Sequence, residues 1–484
     1  MKSVESIADH IKSALGHFNQ GKYAEAEIDA LRITTQFPSF GHGWKILGVA
    51  QYAQEKEALS VLMRAAALLP TDAEVGAYLG AEYLRLGDMG TAEQYLAKAL
   101  NIDPQSSVSL YHMGRLMSQQ GRWQEAAALL ERASLVKDPV PGALFELGNA
   151  QFNLGRLDEA EFTLRKSVVH HPEQLEAQIG LGMTLLLKGQ LNEGFQFYES
   201  RWKLKDAPAG PKFFFPQWDG RENLAKKSLL FLCAEQGFGD SIQFVRFAKV
   251  LEQQGAIVSI AVNRELGRLF SSLGINGNLY VDGAVLPSFD YWCYAMSVPH
   301  ALGISLNTIP YSQGYLPMPH VEPVRDGKLR VGVAWQGNPR HKNDKRRSIH
   351  LKSLSPLFET EDVEFVSLQK ELSEPDLKLA IELGLKFPQR PLHDFQDTAE
   401  LISALDIVIS VDSSVAHLSG ALGRETWVLL PAVPDWRWLM DRNDSPWYDS
   451  MRLYRQPIGE DWSSVVNIVK AQLRQRSKAE FKSP

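Results

Sequence analysis

LGAEYLRLGDMGTAEQYLAKALNIDP, Leu79–Pro104, carries a spacing of small residues that the chain repeats. Gly80 has counterparts at Gly48, Gly114, Gly148 and Gly182, in steps of 32, 34, 34 and 34 residues. Ala92 belongs to a second ladder, Ala26, Ala58, Ala92, Ala126, Ala160 and Gly194, and Ala133 echoes Ala99. A leucine or methionine precedes each glycine of the first ladder, and Pro38, Pro70, Pro104, Pro139 and Pro172 close the units. Two small-residue ladders in fixed offset specify stacked pairs of helices, because helix axes approach closely only where side chains are small. The pattern predicts an α-solenoid over residues 1–205.

A period of about 34 residues is that of the tetratricopeptide repeat, and such arrays present a concave surface to other polypeptides. Aligned on the glycine ladder, Tyr52, Tyr111, Phe145, Asn149, Phe152, Ile179 and Met183 fall on first-helix positions that line such a surface. A groove more apolar than charged suits an amphipathic helix; the other reading is that several of these side chains pack between repeats.

The remaining residues suffice for two further domains. Of the 484 residues, 44% are hydrophobic and 22% charged, a globular balance. A net charge of −6 gives no reason to expect nucleic acid or an anionic membrane. Two cysteines, Cys233 and Cys293, make no disulfide framework. The start, MKSVESIADHIKSAL, lacks the apolar core of a signal peptide, and no run reaches the length of a membrane span. The expectation is a cytoplasmic protein.

Residues 206–227 read as a linker, with Pro208, Pro211 and Pro216 among Phe213, Phe214, Phe215 and Trp218; the aromatics predict a strap docked on both of its neighbours. Beyond it, short apolar strands alternate with helical stretches: Ser228–Cys233, then Asp240–Gln254, then Ala256–Val262. The pattern resumes at Leu329–Trp335, Val363–Leu368, Ile407–Val411 and Thr426–Leu430. Pro317, Pro319 and Pro323 mark a hinge between two Rossmann-like halves, 228–320 and 321–484. Ligands of such sheets bind beyond the carboxyl ends of the strands.

The loops at those ends carry the candidate chemistry. Gln236, Gly237 and Gly239 form a tight turn that delivers Asp240 to the mouth of a helix, where it projects into the cleft or caps the helix. Asp412, Ser413 and Ser414 reach a second helix mouth, whose free N–H groups attract phosphate, and His417 follows one turn on. The alternative is a plain serine cap and a packed core histidine. Gly337–Ser348 holds Arg340, Lys342, Lys345, Arg346 and Arg347 against Asp344, either a solvated charged face or a cradle for an anionic ligand. Gly337, Asn338 and Gln369, beside strand ends of the same half, complete the donor-side candidates. No phosphate-loop, zinc, hydrolase-elbow or full dinucleotide fingerprint is present.

EQGFGDSIQFVRFA, VAWQGNPRHKNDKRRSI, DTAELISALDIVISVDSSVAHLSGALG and VPDWRWL, in this order, resemble bacterial tetratricopeptide proteins ending in a heptosyltransferase-like glycosyltransferase. The resemblance covers nearly the whole chain. It implies a GT-B fold of two Rossmann-like domains, the acceptor in the first and a nucleotide-sugar in the second, with no metal and no cofactor beyond that co-substrate. By position it makes Asp240 the general base and assigns Asp412, Ser413, Ser414 and His417 to donor phosphate and sugar, with Lys342, Arg346 and Arg347 facing the donor. True heptosyltransferases lack the repeats; flagellin and other protein O-glycosyltransferases join repeats to such a domain. The expectation is therefore inverting transfer of a sugar to a protein, such as flagellin, held by the repeats. The alternatives are a saccharide acceptor, or a non-catalytic adaptor.

Overall fold

The computed structural model describes residues 7–136, 139–205, 207, 210–233, 237–321, 326–340 and 343–480. A helical-repeat solenoid is followed in the chain by two parallel α/β sheets of Rossmann-like type. The chain forms two compact units, residues 1–181 and 182–484.

In the first unit the glycine ladder has a direct steric cause. A Cβ on Gly48, Gly80, Gly114 or Gly148 would lie 2.5–2.6 Å from a side-chain atom of Leu62, Leu96, Leu130 or Leu164, respectively. Each of these leucines sits four residues past its ladder alanine, and Ala58, Ala92, Ala126 and Ala160 are fully buried. One leucine knob in one glycine hole thus fixes how the two helices of a unit cross. Gly87, Gly121 and Gly155 then end the first helices of the Gly80, Gly114 and Gly148 units with φ of 75–83°, a backbone state that glycine adopts without strain. Asp72, Asp88 and Ser106 cap following helices through backbone N–H groups.

The second unit begins inside the helix Leu175–Leu187, upstream of residue 205. The reason is Phe195, on the helix Leu191–Tyr198, which packs its ring against Phe244 and Trp436. Of the strap, Phe213 and Phe215 stack on each other and pack around Trp292, whereas Phe214 is fully exposed. Extended chain turns alternate side chains to opposite faces, which sets Phe214 apart from its two neighbours.

The first sheet contains β1 (Ser228–Leu232), β2 (Ile257–Val262), β3 (Leu279–Val281) and β4 (Tyr291–Tyr294), in the order β3-β2-β1-β4. The second contains β5 (Leu329–Ala334), β6 (Val363–Ser367), β7 (Ile407–Val411), β8 (Thr426–Leu430) and β9 (Met451–Arg455), in the order β6-β5-β7-β8-β9. All ladders are parallel. The order reverses between β1 and β4 and between β5 and β7, so the crevices open where Cys233, Trp335 and Asp412 leave their strands. The helical stretch expected over Asp240–Gln254 is two helices, Phe238–Phe244 and Arg246–Gln253, joined at Val245.

Helix propensity alone favours alanine over glycine by about 1 kcal/mol. Gly80→Ala nevertheless places a methyl 2.5 Å from Leu96 Cγ. We expect a net loss of about 1–3 kcal/mol, read by urea unfolding of the full chain with far-UV circular dichroism. An unchanged or higher midpoint would contradict the knob-in-hole origin of the ladder.

Candidate functional site

The carboxyl-end loops of the two sheets meet within the second unit. Gly237 starts the helix Phe238–Phe244, and its N–H donates to Asp240 Oδ2 at 3.0 Å. Asp240 therefore does cap its helix, yet its other oxygen is committed elsewhere: Oδ1 accepts from Arg437 Nη2 at 2.5 Å. Asp240, the third residue of its helix, thus turns one oxygen back to the N-cap N–H and the other to Arg437. Gly239 lies against the opposite loop, where a Cβ would come within 2.9 Å of the His417 ring. Glycine at 239 is thus what lets the two helix mouths abut.

Asp412 and Ser413 leave β7 buried, and Ser414 opens the helix Ser414–Ala421. Ser413 Oγ pairs with Ser410 Oγ at 3.0 Å and makes no cap on the helix. The first N–H groups of this helix keep their dipolar attraction for an anion, since no serine side chain satisfies them. His417 is buried, stacks on Trp438 and bonds Tyr448 Oη through Nδ1 at 3.0 Å. Burial, followed by the charges of Arg437, Arg246 and Arg347, holds its pKa well below the usual imidazole value, so the ring is neutral. The packed-histidine reading describes its contacts.

The basic loop is divided in its roles. Arg347 pairs with Asp344 at 3.3 Å, and both lean over Gly337, where a Cβ would meet them at 2.6–2.7 Å. Arg346, Lys345, Arg340 and Asn338 are exposed, and Asn338 Oδ1 accepts the Arg340 N–H in a local turn. Gln369 is spent on the backbone: its Oε1 accepts from the N–H groups of Trp335 and Gln336, and its Nε2 donates to Gln336 O. That explains its place beside β5 without a ligand. Gln236 and Lys342 lie outside the described residues.

The residues that organise this junction were not singled out from sequence. Arg437, from the VPDWRWL block, is 7% exposed and also donates to Asp435 Oδ1 at 2.8 Å and, through Nε, to Gln243 Oε1 at 2.7 Å. Burial opposes its charge, but Asp435 and Asp240 together raise its pKa. Arg246 is fully buried and donates to the carbonyl oxygens of Gln243 and Trp447, each at 2.8 Å, over the rings of Tyr315 and Tyr448. Asp412 is pushed up to about 6 by burial and then by the like charge of Asp435, with Arg347 pulling the other way. Among the described residues no group of three or more His, Cys, Asp or Glu side chains is placed to hold a metal ion.

In the first unit, Tyr52, Tyr111, Phe145, Asn149 and Phe152 are all half-buried, as is Met183 in the second. Tyr52, Tyr78 and Tyr111 surround His112, whose pKa burial and then Arg115 push down to about 3. Arg115 pairs with Glu146 at 3.3 Å, and the two line a cleft of about 260 Å³ with Asn149, Ser118, Gln119 and Trp123. The lining is more polar than the apolar groove expected from the ladder, because Arg115 sits one turn past Tyr111 and Glu146 directly follows Phe145.

Asp412 gives this junction a pH signature. Its folded-state pKa lies above the unfolded value, so its contribution to stability is fully present below about pH 4 and is lost as pH rises through about 6. Asp412→Asn should therefore be more stable than the wild type at pH 7.5, by roughly 1–3 kcal/mol. The gap should close as the pH falls below about 4. Denaturant unfolding of both chains across pH 4–8 checks it; a constant gap would contradict the burial and like-charge origin of the shift.

Residues 83–141 and 141–168 match the tetratricopeptide-repeat family. Over 98% of its length the chain is 25% identical to Protein FlbA of Caulobacter vibrioides, covering 90% of that protein. Among solved structures it resembles the hetero-tetramer Cut9-Hcn1 of APC/C, at 17% identity and a TM-score of 0.40. That match spans 43% of this chain and under half, 42%, of the neighbour. TTC0263, a thermophilic tetratricopeptide protein of Thermus thermophilus, is matched over its full length at 20% identity, covering 37% of this chain with a TM-score of 0.34. YrrB, described as a tetratricopeptide protein with an unusual peptide-binding site, is 17% identical over 36% of this chain and 92% of its own, with a TM-score of 0.29. The chain thus combines tetratricopeptide repeats in its N-terminal region with a likeness to FlbA along nearly its whole length.

Proposed function

We propose that this chain is an inverting, nucleotide-sugar-dependent protein O-glycosyltransferase. The observation that carries the reading is the meeting of Asp240 with an uncapped helix mouth. A carboxylate from one sheet and the N-terminus at Ser414 from the other face one junction, bridged by Arg437. Inverting transfer needs those two elements: a base for the acceptor hydroxyl and compensation for charge on the leaving phosphate. In the proposed step Asp240 takes the proton of a serine or threonine hydroxyl, whose oxygen bonds the anomeric carbon. The bond from that carbon to the phosphate oxygen breaks, and its electron pair leaves with the nucleotide. The N–H groups of the helix Ser414–Ala421, together with Arg347, stabilise that negative charge. The resemblance drawn from the sequence supports a polypeptide acceptor such as flagellin, and arrays of this kind commonly hold peptides or proteins. No helix among the described residues is long and apolar enough to cross a membrane. We place the reaction in the cytoplasm, where nucleotide-sugars are at hand.

A second reading is a binding scaffold without turnover, favoured by one fact: Asp240 is already engaged by a buried guanidinium. The experiment that separates the two uses nucleotides and acceptor together. A nucleoside mono- or diphosphate should raise the melting temperature of the full chain, and Ser414→Glu should abolish the shift. Asp240→Asn should keep the shift while transfer to protein, followed by intact mass, falls by at least about 10²-fold. Stabilisation without any transfer by the wild type would favour the scaffold; no stabilisation by the CMP, UDP, GDP, ADP or dTDP series would overturn the transferase reading in its favour.

A further inference from the structure

Resting on the transferase reading, we infer that Arg437 is a positioning residue of the reaction: it fixes the orientation of the Asp240 carboxylate and ties it to the donor-side loop. Asp240 is pinned at two points, Oδ2 by the Gly237 N–H and Oδ1 by Arg437. A carboxylate held through both oxygens has one orientation, and its remaining lone pairs point in set directions. Arg437 is itself immobilised. Its Nη1 is held by Asp435 at 2.8 Å, its Nε by Gln243 Oε1 at 2.7 Å, and its guanidinium lies 4.2 Å from the Trp436 ring centre. Gln243 belongs to the same helix as Asp240, whereas Asp435 belongs to the loop after β8. A planar fork with five donors spans these acceptors at once, which a lysine ammonium does not.

The neighbourhood is built for rigidity. Trp436 packs among Phe195, Phe244 and Trp447, and Trp438 stacks on His417, so the side chains flanking Arg437 are both locked. Just beyond, Leu439 is buried with a φ of 52°, a left-handed state that a branched side chain disfavours. Backbone strain of this kind persists only where surrounding contacts over-determine it. Because the Arg437 loop belongs to the donor half and Asp240 to the acceptor half, any movement of that loop moves the base as well.

The distinguishing measurement is epistasis in turnover. Arg437→Met should lower kcat by about 10²-fold, the order expected for about 1 Å of misplacement, with KM for nucleotide-sugar and acceptor within about threefold. Arg437→Lys should recover part of that loss by restoring the charge without the fork. In an Asp240→Asn background, Arg437→Met should lower kcat by less than a further threefold, because the group it positions is gone. A purely structural arginine predicts multiplied losses in the double variant and no rescue by lysine. Turnover of Arg437→Met within threefold of the wild type, or multiplied losses, would overturn the role while leaving the transferase reading intact. No transfer by the wild type with any nucleotide-sugar overturns that reading, and the role with it. Where Arg437→Met does not fold, Arg437→Lys with and without Asp240→Asn supplies the same comparison.

Discussion

A buried guanidinium sets the terms for the second unit. Removing Arg437 from water costs several kcal/mol unless paired charges return it, and the two carboxylates that return it come from opposite sheets: Asp435 beside it in sequence, and Asp240 197 residues away. The cation is fully compensated only when the loop after β8 lies against the helix that follows β1. Gly239 is the steric counterpart of that electrostatic demand, since a side chain there would hold the helix mouths apart at His417. The junction where the two helix mouths meet is therefore specified by charge as much as by apolar packing.

Arg246 solves the same problem differently. It has carbonyl oxygens and aromatic faces around it, from Gln243, Trp447, Tyr315 and Tyr448. Carbonyl dipoles and π faces disperse the charge, while Arg437 concentrates it on carboxylates. Burial first, and then both cations, hold the His417 imidazole neutral, so it serves as a stacking and hydrogen-bonding surface for Trp438 and Tyr448. The positive potential of this region stays on arginines and on the helix mouth at Ser414, where an anion would gain from it.

How much of this was legible in the sequence depended on how local the cause was. The glycine ladder was legible because the partner of each glycine recurs at the same offset; Leu62, Leu96, Leu130 and Leu164 repeat with it. β1, β5, β7 and β8 were legible as apolar runs, and their helix mouths followed. β3 and β4, of three and four residues, are too short to carry a period. The burial of His112 among tyrosines from three first helices was not legible, since no spacing rule brings Tyr52, Tyr78 and Tyr111 to one histidine. Arg437 stands within VPDWRWL, but two of its partners, Gln243 and Asp240, lie 194 and 197 residues away. Gln369 is the complementary case: its bonds to the backbone of Trp335 and Gln336 join residues 33 and 34 apart in sequence, which no local pattern shows.

The loop Asp435–Leu439 shows why strain and specificity sit together. Three consecutive side chains serve three different neighbours: Trp436 fills an aromatic cluster, Arg437 reaches Asp240, and Trp438 covers His417. A strand sends consecutive side chains to two opposite faces only, whereas a 3₁₀ turn, at about three residues per turn, sends them three ways; the chain makes one such turn there and leaves it through the left-handed φ of Leu439. The cost of that backbone state, of order 1–3 kcal/mol, is offset because the carbonyl oxygen of Leu439 is held by Arg455 at 2.7 Å and its side chain is buried. A relaxed turn would turn at least one of the three side chains away from its neighbour. The strained turn is thus the local expression of the constraint that the buried arginine imposes: the loop must hold one conformation if the Asp240 carboxylate is to hold one orientation.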